Sequence, residues 1–300
     1  MDPGHDDALA LMLALGSPGL EVLAVTTVAG NAPLEKTTNN ALRLLSFLGR
    51  GDVPVGSGAK RPLSGRLVTA ESIHGPSGLD GPEIPPAGFG PDPRGAVELI
   101  AKTLREATRP VTLIPTGPLT NVATLLREHP EAKEKIARIS LMGGSIGPGN
   151  TTPAAEFNVY VDPEAAKEVF GSGLPVTMCG LDVTHQARVT PERREILRRT
   201  GRAGELAADL MEFYASTYRK TYGLDAPPLH DPVAVAAVLA PELVETRRMR
   251  VDVECRGEFT RGETVCDLHG VTGREPNADV GVGLDEEGFF DLLRTAFERL

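Results

Sequence analysis

Val111-Thr-Leu-Ile-Pro115, Thr116-Gly-Pro, Leu119-Thr-Asn-Val-Ala-Thr-Leu-Leu-Arg-Glu128 and then Ile139-Ser-Leu-Met142 read in one pass as strand, tight turn, helix and strand. The two end pieces are unbroken apolar runs of strand length, which suits strands buried on both faces, and the middle piece repeats its apolar residues at helical spacing. A strand, a crossover helix and a second parallel strand form a right-handed unit. Working outward, Leu20–Val28 and Leu174–Cys179 read as further buried strands, and Ala8–Leu15, Leu34–Leu48, Arg94–Arg105 and Pro163–Phe170 as helices. That alternation predicts an α/β fold with a doubly wound, mostly parallel sheet. Arg247–Cys255, Gly262–Leu268 and Asp279–Val282 read as strands of a small antiparallel edge, followed by a terminal helix over Glu286–Leu300. Thr190–Tyr222 reads as helical and carries Tyr214, Tyr218 and Tyr222 on one face, four residues apart. Gly56–Asp92, rich in Gly and Pro, is a long irregular excursion of the kind that usually serves function. No internal repeat is present, and residues 1–300 are expected to form a single domain.

The chain is 41% hydrophobic and 24% charged, an ordinary globular composition. Its 31 basic and 41 acidic side chains give a net charge of −10, a field that repels phosphate backbones and argues against a nucleic-acid partner. Ala8–Leu15 is too short to span a membrane and lacks the basic flank of a signal peptide, so no membrane association and a cytoplasmic location are expected. Cys179, Cys255 and Cys266 form no C-x-x-C pair and read as reduced core thiols.

The chemistry starts at Met-Asp-Pro-Gly-His-Asp-Asp-Ala, which gathers Asp2, Asp6 and Asp7 at the entrance of an apolar helix. Helix capping and the helix dipole account for one or two of these carboxylates. Three on one turn repel each other unless a cation neutralises them, and oxygen ligands alone favour Ca²⁺ or Mg²⁺. Further oxygens are offered by the Thr116 carbonyl and by Asp231 in His-Asp-Pro, although a turn capped by Thr120 and a helix cap at Asp231 are equally ordinary readings of those two places.

Asp-Pro-Gly-His-Asp-Asp-Ala at 2–8, Thr-Val-Ala-Gly-Asn at 27–31, Ile-His-Gly at 73–75, Pro-Thr-Gly-Pro-Leu-Thr-Asn at 115–121, Leu-Met-Gly-Gly at 141–144, Ala-Glu-Phe-Asn at 155–158, Asp-Pro-Glu-Ala-Ala at 162–166 and His-Asp-Pro at 230–232 together resemble the inosine-uridine preferring nucleoside hydrolase family. The matching segments run in the family's order over nearly the whole chain. The resemblance implies a single α/β domain that hydrolyses the N-glycosidic bond of ribonucleosides to ribose and free base, with a bound Ca²⁺. By position it implies Asp2, Asp7, Asp231 and the Thr116 carbonyl as calcium ligands, and a calcium-bound water that attacks C1′ while Asp2 takes its proton. Asp6 would hold the ribose 2′-hydroxyl, with Asn31, Met142, Asn150, Glu156 and Asn158 around the remaining sugar. Glu156 would favour the positive charge of an oxocarbenium-like transition state.

The departing base needs a proton or its equivalent, and an imidazole has one to offer near pH 7. His230 and His74 are the candidates, with Tyr214 and Tyr218 completing a base pocket. His185 is read as structural, His5 as packed or solvated, and His129 and His269 as surface residues. The resemblance further implies a small-molecule ribonucleoside substrate and a homodimer or homotetramer. It also implies an apolar strand ahead of Asp2. Met1 directly precedes Asp2, so the first strand is expected to be missing, its central place in the sheet empty and Asp2 left dangling. Two alternatives stand beside the hydrolase reading. One is a non-catalytic calcium-dependent nucleoside or ribose binding protein. The other, a Mg²⁺ phosphotransferase, is disfavoured because no P-loop motif is present.

Overall fold

The computed structural model describes residues 1–300. Its strands are β1 (Val25–Thr27), β2 (Val55–Ser57), β3 (Val111–Leu113), β4 (Ile136–Met142), β5 (Val176–Cys179), β6 (Val244–Val253), β7 (Thr264–Asp267) and β8 (Ala278–Leu284). The helices of the first half are α1 (His5–Gly16), α2 (Leu34–Phe47), α3 (Glu71–His74), α4 (Ala96–Glu106), α5 (Thr120–Glu128), α6 (Phe157–Val161) and α7 (Pro163–Phe170). Those of the second half are α8 (Leu181–Thr184), α9 (Pro191–Arg198), α10 (Arg202–Tyr222), α11 (Asp231–Leu239) and α12 (Glu286–Phe297). No helix is long and apolar enough to cross a membrane.

Six strands make one sheet in the order β3-β4-β5-β8-β6-β7. β3, β4, β5 and β8 are parallel, whereas β6 runs antiparallel to both β8 and β7. The mostly parallel sheet is as the sequence predicts, but of the three strands expected at an antiparallel edge only β6 and β7 form it, whereas β8 lies inside the sheet and continues its parallel order beside β5. Successive side chains divide between the two faces, as a repeat of two requires. Val176 and Met178 of β5 join a cluster with α4, α5 and α7, while Cys179 joins a larger one with α1, α2, α10, α11 and α12. α1 is apolar on every side beyond its first turn and is correspondingly buried all round.

β1 and β2 pair with each other, apart from the six-stranded sheet. A cleft of about 680 Å³ lies between β1 and β3, lined by Val22, Val25, Val111 and Leu113 among others. One expectation fails here: Asp2 does not dangle. The Met1 α-ammonium donates to the Thr26 carbonyl at 3.0 Å and the Met1 carbonyl accepts from Val28 N at 3.0 Å. Asp2 is thus drawn in beside the end of β1 and is fully buried.

Other differences are local. The strand expected over Leu20–Val28 shrinks to Val25–Thr27, because pairing with β2 begins only at Val55. The helix expected over Thr190–Tyr222 is two helices, broken at Gly201, whose φ of +113° suits glycine. Only Cys179 is a core thiol, pushed up to about 12 by burial, whereas Cys255 and Cys266 are partly exposed. All three are free.

Candidate active site

Two helix N-termini converge at the start of α1 and the start of α11, and both bring carboxylates in their first turns. Asp7 closes the first turn of α1 by accepting from Gly4 N at 3.0 Å. Asp231 opens α11 immediately before Pro232, a residue that tolerates the first turn because it needs no hydrogen-bond partner there. Oxygens of Asp6, Asp7 and Asp231 lie within 4.8 Å of one another, all buried. Asp7 also accepts from the Thr116 hydroxyl at 2.8 Å and from Asn31 Nδ2 at 3.3 Å. Asp2, expected among the metal ligands, stands beside this group, with Oδ2 accepting from Asn31 N at 2.7 Å.

Such crowding shows in the acidities. Burial first, and the Asp7 charge second, push Asp6 up to about 7. The same causes push Asp2 well above the usual carboxylate range, and burial with the Asp6 charge does so for Asp231. Asp7 is raised less freely, because the Met1 ammonium and its hydrogen bonds oppose burial. No lysine or arginine lines the adjoining cavity.

Asp2 Oδ1 is buried without any hydrogen-bond partner. A buried acceptor left in that state costs about 1–3 kcal/mol, and more if charged. Gly30 and Gly117 form its cradle: a Cβ on either would come within 2.1 Å of an Asp2 carboxylate oxygen. An orphaned oxygen beside three mutually repelling carboxylates is a donor set that fits a hard divalent cation, and its irregularity and all-oxygen character suit Ca²⁺.

Above this floor is a cavity of about 260 Å³. Asp6, Asn31, His74, Thr116, Met142, Asn150, Glu156, Asn158, Tyr214, Tyr218, His230 and Asp231 all line it, so every predicted site residue except Asp2 and Asp7 meets there. On one wall Glu156 caps α6. Its Oε1 accepts from Asn158 N, and its Oε2 accepts from Gly144 N and Val159 N. Burial nonetheless pushes it up to about 7. Asn158 Nδ2 donates to the carbonyls of Thr116 and Met142 at 3.3 and 3.2 Å, tying the β3 and β4 ends together. Asn150 Oδ1 accepts from Phe157 N at 3.0 Å.

The opposite wall is aromatic. α3 ends at Gly75, whose φ of +79° and whose contact with Asp80 leave no room for a side chain, and this turn fixes His74. Its Nδ1 lies 3.0 Å from Nδ1 of His5, and its ring stacks on His5 and Tyr214. His230 Nδ1 lies 2.8 Å from the Thr184 hydroxyl and Nε2 3.2 Å from the Tyr218 hydroxyl, to which Tyr214 donates at 3.2 Å. The tyrosine face predicted on α10 is present, with ring centroids 4.6 and 5.0 Å apart along Tyr214, Tyr218 and Tyr222.

The sequence reading treats these imidazoles as proton sources near pH 7. Burial overturns that: it lowers His230 to about 3 and His74 well below its ordinary value, so both are neutral at pH 7. A neutral imidazole still polarises a substrate through its N–H. His5 is packed, as one of its two readings has it, and burial lowers it to about 4. His185 stands edge-on to His230 at 5.6 Å. His269 is exposed, and His129 pairs with Glu98 at 2.8 Å. Sequence reasoning missed Thr184, Thr151, Phe157 and the 68–73 segment. Thr184 sits in Asp-Val-Thr-His-Gln, where only the neighbouring histidine draws notice.

The sequence model of inosine-uridine preferring nucleoside hydrolases matches residues 1–291. The chain is 53% identical over 300 residues to the pyrimidine-specific ribonucleoside hydrolase RihA of Citrobacter koseri, covering 99% of this chain and 96% of that one. A RihA from Escherichia coli O127:H6 is 53% identical over 294 residues, covering 97% and 94%. Among solved structures, a purine-preferring ribonucleoside hydrolase from Gardnerella vaginalis superposes with a TM-score of 0.92 at 35% identity, covering 99% of this chain and 96% of that one. A plant nucleoside hydrolase, PpNRh1, gives 0.92 at 34% identity, covering 99% and 97%. These relatives are hydrolases, which sets aside the binding-protein alternative. The chain belongs to the inosine-uridine preferring nucleoside hydrolase family and cleaves the N-glycosidic bond of ribonucleosides.

Proposed function

We propose that the chain is a calcium-dependent ribonucleoside hydrolase that prefers pyrimidine nucleosides, built from one catalytic unit with the sugar on the carboxylate floor and the base against the aromatic wall. The observation that carries this reading is the juxtaposition, across one cavity, of the Asp6, Asp7 and Asp231 cluster with the His74, His230 and Tyr218 wall. Preference for pyrimidines rests on the 53% identical relatives, which are named for that specificity.

Asp2, Asp7, Asp231 and the Thr116 carbonyl would hold the calcium. When bound, that ion would supply positive charge that acidifies water and favours oxygen donors of the substrate. Asp6, the one carboxylate at the start of α1 that lines the cavity, takes the 2′-hydroxyl and orients the ribose. Asp2, with Oδ2 tied to Asn31 N, presents Oδ1 to accept a proton from the water that adds to C1′. As the new C–O bond forms, the C1′–N bond breaks and its electron pair leaves with the base. Glu156 lies on the sugar side, where a carboxylate favours the positive charge that develops at C1′. His230 and His74 meet the negative charge on the base as neutral hydrogen-bonding groups. Met142 packs under the sugar and Tyr214 and Tyr218 line the base.

Turnover of uridine, cytidine and inosine by the calcium-loaded protein tests this reading. Release of ribose that is fastest from the two pyrimidine nucleosides, and abolished by chelation, is the expected result. Faster release from inosine would overturn the base preference, and full activity in chelator the metal assignment.

A further inference from the structure

We propose that Thr184 decides which ring nitrogen of His230 carries the proton, and so presents an N–H to the departing base; the inference rests on the reading of His230 given above. Thr184 lies at the end of α8, has no exposed surface, and does not line the cavity. Its hydroxyl makes one side-chain hydrogen bond, with His230 Nδ1 at 2.8 Å.

Two arrangements satisfy the distances around the ring. In the first, the Thr184 hydroxyl donates to Nδ1, so Nε2 carries the proton and donates toward Tyr218. In the second, Nδ1 donates to Thr184 and Tyr218 donates to Nε2. They differ in which hydroxyl proton is left without a partner. In the first it is that of Tyr218, which already accepts from Tyr214 and borders the cavity, where water or substrate can receive it. In the second it is that of Thr184, sealed in the interior with no other acceptor. A donor stranded in a dry interior pays the full desolvation penalty and one at a wet cavity does not, so the first arrangement prevails. The hydrogen bond on one imidazole nitrogen thereby sets the state of the other.

The consequence is a neutral imidazole that carries its proton on Nε2, the nitrogen beside the hydroxyl of the cavity-lining Tyr218, the form that can stabilise charge appearing on the leaving base. Thr184 is a positioning residue: it touches His230 and not the substrate. Loss of its hydroxyl lets the Nδ1–H form accumulate, and that form turns a lone pair toward the base.

Nitrogen-15 spectra of the histidine-labelled, calcium-loaded protein read the tautomer directly, with His230→Asn used to assign the signal. Wild type and Thr184→Ser should show the proton on Nε2, and Thr184→Val, equal in shape, should show a rise of the Nδ1–H form. In parallel, Thr184→Val should lower kcat on uridine by about 10-fold or more, short of the ~10²–10⁴-fold that a whole acid-base group contributes, with KM little changed. Turnover of p-nitrophenyl riboside, whose leaving group needs no help, should be nearly unaffected, and Thr184→Ser should restore uridine turnover. An Nδ1–H signal in wild type, or an unaltered tautomer in Thr184→Val, would overturn the role given to Thr184. A tautomer that shifts while both substrates slow equally would instead overturn the reading of His230 as the group that serves the base.

Discussion

The carboxylate floor and the aromatic wall border the same cavity, yet they are built in opposite ways. Asp2, Asp6 and Asp7 come from one turn of chain, joined by Asp231 from a second helix start, and their proximity is unfavourable without a cation. The wall draws His74 from a four-residue helix, Tyr214 and Tyr218 from α10, His230 from the entrance of α11 and Thr184 from behind it. Its members satisfy one another through stacking and hydrogen bonds. The floor is therefore poised to bind and the wall is already settled. Substitutions on the floor should affect every substrate alike, and those on the wall should depend on the leaving group.

The largest effect is expected from Asp231→Ala, which removes one carboxylate of the cluster. Ribose release should fall by more than about 10³-fold on every riboside, since metal charge contributes several kcal/mol to such reactions. Calcium measured by elemental analysis should fall below one ion per chain, and full occupancy in this variant would detach Asp231 from the metal. Gly117→Ala comes next. Its new Cβ would lie 2.1 Å from Asp2 Oδ1, so Asp2 must move. Affinity for Ca²⁺, followed by titration calorimetry, should drop at least about 10-fold, as is usual when the residues around a metal ligand are disturbed.

A smaller effect concerns stability. Asp6 titrates at about 7 in the fold because of burial and the Asp7 charge, against 3.8 for an unperturbed carboxyl. Between those values the folded state binds more protons than the unfolded chain, so stability falls as pH rises through that window. The buried histidines act in the opposite direction over the same window, so the test compares variants: in chelator the melting temperature of the wild type should decline relative to that of Asp6→Asn from about pH 4 to about pH 7, and added Ca²⁺ should raise the wild type most at the upper end. A wild-type melting temperature that instead gains on Asp6→Asn as pH rises would contradict the crowding of the floor. The smallest effect is expected within the wall, where Tyr214→Phe removes one buried hydroxyl that donates to Tyr218. A loss of about 1 kcal/mol in stability, and a few-fold change in uridine turnover, should result from one neutral hydrogen bond.

The two regions were also unequally legible in the sequence. Three aspartates within one turn advertise the floor, because like charges at that spacing need a physical reason. The parallel sheet was equally open, since runs such as Ile139–Met142 leave few alternatives. The wall was legible only as residue types. Nothing in the order of residues says that His5 abuts His74 or that Thr184 abuts His230, because these contacts span 69 and 46 positions. Nor does sequence give burial, and burial is what turns the expected imidazolium into a neutral ring. Asp2 shows a third limit. Its anchoring depends on the main chain of Met1 and Asn31, and main-chain pairing at the end of a strand leaves no mark on composition.

The central claim is that floor and wall serve separate halves of the reaction, and one ratio tests it most directly: kcat/KM on uridine divided by kcat/KM on p-nitrophenyl riboside, compared between Asp6→Asn and His230→Ala. Asp6→Asn should slow both substrates and leave the ratio near that of the wild type, because both require the same oriented ribose. His230→Ala should lower the ratio by about 10²-fold or more, since only the poor leaving group needs the imidazole. An unchanged ratio in His230→Ala, with both substrates slowed together, would mean that His230 serves Asp231 or the fold, and the division between floor and wall would be wrong.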